Sequence, residues 1–471
     1  MSVLAVVLLL AAGLAWWGAR HARSASEYFA AGRRARAVLV GVAGTAAAVS
    51  GFTFIGGPGL FAALGFGSLW IILSASLTGA LQCWVVGEPV VEAARARGVL
   101  TLPELLGDRF GSRHVRGVAA VLVALGCIAA LAVQVRAACV LGEDFLQLPG
   151  ALVGTLVMVA TCAYTALGGM RSGLLADAVL GGVMALAGLS LAAAALAAAG
   201  GPARALATLA TSSPRLLGSF GAAPPGQALA WYLLFALGTC AQPHYIQKFF
   251  FLRGRSELRR LPAVLTGTLA AMLAVWIGVG IAGAALRARG TISIARADDL
   301  APAVMRHLGP WAVVLAGVAV LAAMMSTSTS FLNLAAAAVT RDLPQAGGRS
   351  AGGLAAARVA TAAIAVPATL IGVGSGRAVA LLGVAGWGFF TAALLPAMTV
   401  GLAWKGASAR SVATAMVLGA VVDLVLEAVR TSLPPALEPG LAGAAVGTVA
   451  LVALALAAGG EATQPHTQPA Q

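Results

Sequence analysis

Ser50–Gly59 reads SGFTFIGGPG, with four glycines and Pro58 in ten residues. In a helix interior Gly costs about 1 kcal/mol and Pro about 3 kcal/mol relative to Ala. The cluster nevertheless lies inside a long apolar stretch. Of the 471 residues, 60% are hydrophobic and 10% charged, and the mean hydropathy is +0.93. A soluble domain carries roughly 25% charged residues, so the chain reads as an integral membrane protein with a helix-breaking cluster placed where it crosses the bilayer. Backbone groups released in hydrocarbon must find partners, so such a break is tolerated only where protein or a cavity covers it.

Working outward from that stretch, thirteen apolar spans are expected, at roughly 2–19, 37–62, 67–87, 117–142, 149–167, 174–199, 228–249, 262–286, 310–339, 359–374, 378–403, 412–429 and 439–459. Each holds about the 20 apolar residues a spanning helix needs. The N-terminal run carries its charges after the apolar segment, at Arg20 and Arg23. It therefore reads as a retained first helix rather than a signal peptide, which begins with positive charge. With the N-terminus outside, 21 of the 30 Lys and Arg fall in inside loops and eight in outside loops, with Arg136 within a span. This asymmetry predicts N-terminus out, C-terminus cytoplasmic and a cell-membrane location. The net charge of +14 then marks topology and lipid headgroup contact. No basic stretch interleaved with aromatics indicates nucleic acid, and no obligate protein partner is expected. The five cysteines lie in or near apolar segments without a CxxC pair and read as small buried residues.

A second interruption, GTCAQPHYIQ at Gly238–Gln247, falls in the seventh span, five spans after the first. Five is odd, so two five-helix repeats would sit inverted, with a transport site where the two broken helices meet. One all-α domain is expected over 1–471: a peripheral first helix at 1–22, a first repeat over 37–173 and 174–199, a second over 228–403, peripheral helices at 412–459 and a disordered tail at 460–471. The ninth span adds LAAMMSTSTSFLN (Leu321–Asn333), with five consecutive hydroxyls from Ser326 to Ser330. Hydroxyl and carbonyl oxygens are hard ligands suited to a hard cation such as Na⁺, although Ser and Thr also bond back to their own helix.

These stretches, with SEYFAAGR (Ser26–Arg33), TLPELLGDRFG (Thr101–Gly111), YTALGGMRSGLLADAV (Tyr164–Val179), AQPHYIQKFF (Ala241–Phe250) and AVTRDL (Ala338–Leu343), resemble the sodium:solute symporter family in order and spacing over most of the chain. The resemblance implies an inverted-repeat fold and a Na⁺ site made of the Ala46 and Val49 carbonyls, the Ala323 carbonyl and the Ser326 and Thr327 hydroxyls. Ser50 lies beside it and Asp177 near the sodium path. Ala48 stands where proline-transporting relatives carry aspartate, and Phe235 and Thr239 replace their seventh-span aromatics, which argues against proline.

An intramembrane acid is costly and usually functional, so Asp177 is a candidate on its own account; the alternative is snorkelling or pairing with Arg171. Solute-contact candidates beside the breaks are Thr53, Phe54, Gln82, Gln134, Thr239, Gln242 and Trp387. Arg136 is a possible carboxylate partner, although pairing with Glu143 or Asp144 is favoured, and His244 is expected to bond locally. No HExxH, Walker or GxSxG pattern occurs, so the chain is not expected to be an enzyme. The expected function is a sodium-coupled symporter importing a small polar solute, of amino acid or monocarboxylate class, by alternating access. The rivals are a proton-coupled carrier using Asp177 or His244, and a solute sensor, which would need a signalling domain where only about a dozen polar residues follow the last span.

Overall fold

The structure is a computed structural model that describes residue 13, residues 35–376 and residues 378–458, without the side chains of residues 168–172. The expected first span, the Ser26–Arg33 motif, Arg171 as a partner of Asp177 and the polar tail lie outside this description. The described residues form helices joined by short connections. Helix α1 (Ala37–Ala48) is held at its start by the Glu257 carboxylate, which accepts the Ala37 N–H at 2.7 Å. A backbone bridge adds Ala35 N–H to Phe251 C=O and Arg253 N–H to Ala35 C=O, both at 3.0 Å. The first broken helix is thereby tied to the end of the second.

The helix stops earlier than the glycine cluster suggests. The last ladder bond of α1 runs from Val49 N–H to Thr45 C=O at 2.8 Å, and Val49 is extended, at φ −78°, ψ 118°. Ser50 is also outside the helix, which resumes at Gly51, is wide-wound over Phe52–Gly56 and continues as α2 (Gly57–Leu64). Only two residues are unwound, so the glycines serve close packing instead. A Cβ on Gly57 would lie 2.5 Å from Trp276 Cε3, and one on Gly59 would lie 2.5 Å from the Ala297 carbonyl oxygen. Overpacking of this kind costs about 1–3 kcal/mol. Gly57→Ala should therefore lower the thermal midpoint of the purified protein, while Gly182→Ala, whose Cβ meets nothing within 4 Å, should not.

The chain then runs through α3 (Arg113–Val140), whose first turn is capped by Ser112 Oγ accepting the Val115 N–H at 3.3 Å. Helix α4 (Gly150–Ala198) carries both the fifth and sixth expected spans on continuous helical backbone, where an inside loop was expected near residue 170. The second interruption separates α5 (Pro225–Gly238) from α6 (Pro243–Phe249) by a 3₁₀ turn over Thr239–Ala241 and an extended Gln242 at φ −80°, ψ 110°. Pro243 suits a first helical position, because it has no N–H to leave unpaired. The remaining long helices are α7 (Leu261–Ala288), α8 (Pro310–Ala337), α9 (Leu354–Gly374), α10 (Val379–Pro396), α11 (Ala409–Ala428) and α12 (Pro439–Ala457).

Among the described residues ten helical segments are long and apolar enough to cross a membrane, two of them within α4, and the expected first span lies outside these residues. The first halves of the two broken helices, α1 with 12 residues and α5 with 14, fall short in length. Phe52–Ala96 counts as one helical run of 45 residues, because Gly65, at φ 57°, turns the chain while short-range helical bonding continues. Large apolar side chains such as Trp84, Leu186, Val359, Leu370 and Val449 stay exposed, as lipid-facing positions do. Inside, two apolar clusters form, one around Leu105, Phe250, Phe331 and Met398, the other around Ile55, Phe61, Trp276 and Leu300. Trp387 packs against both, and the cavity described next opens at their seam.

Candidate functional site

The two unwound segments and the ninth-span hydroxyls converge. The Thr327 hydroxyl donates to the Val49 carbonyl at 3.3 Å, which joins α8 to the break after α1. The carbonyls of Ala46, Ala47 and Ala48 are left out of the α1 ladder, which ends on Thr45. The Ser326 hydroxyl donates to Asp177 Oδ1 at 2.6 Å, so its lone pairs remain free for a cation. Ala46, Val49 and Ala323 are each at most 1% exposed. The five hydroxyls do not simply bond back along α8. Thr329 takes the Thr165 hydroxyl at 3.3 Å, and Ser330 accepts from Lys248 Nζ at 3.2 Å. An oxygen-only cluster of carbonyls and hydroxyls suits a hard monovalent cation.

Asp177 is 1% exposed, so it does not snorkel at an interface. Its second oxygen lies 2.6 Å from Lys248 Nζ. Lys248 itself is 6% exposed and sits on α6. Hydropathy places it among the inside-loop cations, but the structure buries it. Sequence reasoning missed this residue, and the one available signal was its place four residues after His244 in a seven-residue helix that the break turns inward.

Beside the break lies a central cavity of about 110 Å³. Its polar wall includes Ser50, Thr53, Gln134, Gln242, His244 and Thr327, and its aromatic wall includes Phe52, Phe235, Trp276 and Trp387. Phe235 stacks on Trp387 at 4.8 Å between ring centroids and on Phe52 at 6.0 Å. Among the described residues no Asp, Glu, Lys or Arg lines it. Four of the solute candidates, Thr53, Gln134, Gln242 and Trp387, face this cavity, together with the ion candidates Val49 and Thr327 and with Ser50 beside them. The others do not. Phe54, 3% exposed, packs into the apolar cluster around Trp276. Gln82 Nε2 donates to Thr239 Oγ1 at 2.6 Å and to the Thr239 carbonyl at 3.4 Å, so these two hold each other.

Glutamines cover both breaks. Gln134 Oε1 accepts the Gly51 N–H at 3.4 Å on the far side of the first break. At the second break, Gln82 supplies a donor to the freed Thr239 carbonyl, and Gln242 Nε2 donates to the Trp387 carbonyl at 3.2 Å. These spans thus supply the partners that hydrocarbon cannot.

Two sequence expectations change. His244 was expected to bond locally, yet at 2% exposure neither ring nitrogen has a hydrogen-bond partner among the described residues. It lines the central cavity and also a second, smaller one beside Asp177, Lys248 and Asn333. Arg136 was expected to pair with Glu143 or Asp144. Those acids instead meet Arg296, at 3.6 and 3.2 Å, and Arg136 does not line the cavity. Outside the spans, burial pushes the Asp298 carboxyl up, while the Val379 N–H and the charges of Arg136 and Arg296 pull it down.

Comparison with known proteins agrees with this architecture. Residues 28–419 match the sodium:solute symporter family. The chain is 26% identical over 411 residues to the sodium/pantothenate symporter of Escherichia coli (strain K12), covering 85% of this chain and 84% of that protein. It is also 26% identical over 436 residues to the osmoregulated proline transporter OpuE of Bacillus subtilis (strain 168), covering 88% and 85%. A solved structure of a Na⁺-coupled sialic acid symporter superposes with a TM-score of 0.80 at 18% identity, covering 97% of each chain. That likeness shows the fold, an inverted five-plus-five helix core with two broken helices. With the family matched over most of its length, a fold of that kind and multiple apolar spans, the chain belongs to the sodium:solute symporter family and is a sodium-coupled membrane symporter, not an enzyme.

Proposed function

We propose that Na⁺ binds between the Ala46 and Val49 carbonyls, the Ala323 carbonyl and the Ser326 and Thr327 hydroxyls, and that the solute binds in the adjoining central cavity. The observation that carries this is the shared wall: Val49 and Thr327, two of these ion ligands, line the cavity together with Ser50 beside them. An ion that ties the first break to α8 shapes the solute pocket, and a solute seated there stabilises the ion. Each ligand then raises the affinity for the other by the same factor. The chain works as one transporter domain, with repeats over 37–199 and 228–403, in the cell membrane. Its N-terminus is outside and its C-terminus cytoplasmic, the orientation favoured by the excess of cations assigned to inside loops.

The solute is a small polar organic molecule of amino acid or monocarboxylate class, the class to which the pantothenate and proline substrates of its relatives belong. With no charged side chain in the cavity wall among the described residues, a solute carboxylate takes its positive partner from the bound ion and its hydrogen bonds from groups such as Gln134, Thr53 and His244. The aromatic wall takes the apolar body. Ala48 in place of an acid keeps the break neutral and favours a carboxylate other than proline. Purified protein in liposomes should accumulate labelled pantothenate in preference to L-proline under an inward Na⁺ gradient at equal pH on both sides, and lose at least nine-tenths of the uptake when K⁺ replaces Na⁺. Uptake that follows a pH gradient with no Na⁺ present would replace sodium by proton coupling.

A further inference from the structure

We infer that Lys248 is an internal cation that sets the strength of the sodium site: by neutralising Asp177 it holds Na⁺ affinity low enough for release. This rests on the assignment of Ser326 and Thr327 as ion ligands. The geometry is a four-element chain. Val49, after α1, accepts from Thr327 at 3.3 Å on α8. Its neighbour Ser326 donates to Asp177 Oδ1 at 2.6 Å on α4. Asp177 Oδ2 in turn meets Lys248 Nζ at 2.6 Å on α6. One carboxylate therefore stands between the proposed ion ligand and a fixed ammonium, and both charges are buried, at 1% and 6% exposure.

By accepting the Ser326 proton, Asp177 turns the hydroxyl's lone pairs outward and makes the oxygen a better ligand, as partners behind a metal ligand do. A lone buried carboxylate this close would also attract the ion through a poorly screened field, and release would be slow. Lys248 cancels that field without removing the hydrogen bond. Its second contact, to Ser330 Oγ at 3.2 Å, holds the ammonium beside the pair, where it shares a small cavity with Gln247, Thr329 and Asn333. The lysine belongs to the broken seventh span, so movement of that span withdraws or returns its charge. In this way the second broken helix acts on an ion held by the first.

The test measures Na⁺ affinity without any solute, by ²²Na⁺ binding to the purified protein and by Na⁺-dependent shift of its thermal midpoint. Lys248→Met should bind Na⁺ at least tenfold more tightly, and Asp177→Asn, which leaves the ammonium unopposed, at least tenfold more weakly. The double variant should return to within about threefold of the wild type, a pattern of opposed signs that a merely structural ion pair does not produce. If Lys248→Met fails to fold, the comparison is Asp177→Asn against the double variant. Removal of the lysine must then restore binding, and equal affinities overturn the inference. Lys248→Met folding with unchanged or weaker Na⁺ affinity also overturns it. Ser326→Ala with Thr327→Ala separates the two claims: if that variant binds Na⁺ like the wild type, the ion site itself is misplaced, whatever Lys248 does.

Discussion

Ser326→Ala combined with Thr327→Ala should weaken Na⁺ binding at least a hundredfold and abolish Na⁺-driven uptake while leaving the fold intact. A hydrogen bond to a charged group contributes ~1.5–3 kcal/mol net, and a comparable value for each hydroxyl–cation contact makes the pair worth about 3 kcal/mol or more, which is over a hundredfold in affinity. Both residues lie on α8, whose own ladder does not depend on these hydroxyls, and Ala is the best helix former. The purified variant should therefore elute as wild type, show a moderately lower thermal midpoint in the absence of Na⁺ because the Asp177 carboxylate and the Val49 carbonyl each lose a donor, and lose the further shift that Na⁺ produces. The solute half-saturation concentration should also rise, because the ion and solute share the Val49–Ser50 wall. A variant that retains wild-type Na⁺ response would refute the ligand assignment. Thr327→Ser alone, which keeps an oxygen, should lose far less than Thr327→Ala.

The second large effect concerns stability. Asp342, fully buried at 0% exposure, accepts from Arg116 Nε and Nη2 at 2.9 and 2.8 Å and from Thr101 Oγ1 at 2.9 Å. Arg341 beside it reaches Glu104 at 3.0 Å. This cluster fastens the end of the ninth span to α3 and to the short helix Leu102–Arg109. Arg116→Met strands a buried carboxylate, and breaking a buried pair in this way costs about 3–5 kcal/mol. The thermal midpoint should fall sharply, and a second change, Asp342→Leu, should recover most of the loss, since apolar pairs often replace buried ion pairs without penalty. Arg97, paired with Asp108 at the surface with 48% of its side chain exposed, provides the contrast. Its removal should cost no more than about 1 kcal/mol.

The membrane class, the two interruptions and the hydroxyl run are legible in the linear chain because each rests on composition or local spacing. Spans follow from runs of about 20 apolar residues, and a cluster such as SGFTFIGGPG announces that a helix cannot run through unperturbed. The position of the unwinding is a different matter. Glycine and proline locate it within ten residues, but the chain unwinds at Val49–Ser50, where Gln134 and Thr327 from distant spans supply hydrogen-bond partners. The glycines that follow meet Trp276 and Ala297, contacts with no local signature.

Charge shows the same division. Lys248 and Arg136 read correctly as cations, but whether a cation faces water, lipid or another charge depends on residues far along the chain. Lys248 meets Asp177, 71 positions away, and a hydropathy pattern has no access to that separation. The split among the solute candidates follows the same cause, since Phe54 and Thr53 are neighbours in sequence and only the packing of the wide-wound segment Phe52–Gly56 turns one into the core and the other toward the cavity. Sequence by itself determined the family, the helical membrane class and which residues can ligate a hard cation, because these are local chemistry. Tertiary structure alone decided where the helix opens, which side chains share the cavity and which buried charges cancel, because each of these depends on long-range contacts made only when the spans pack.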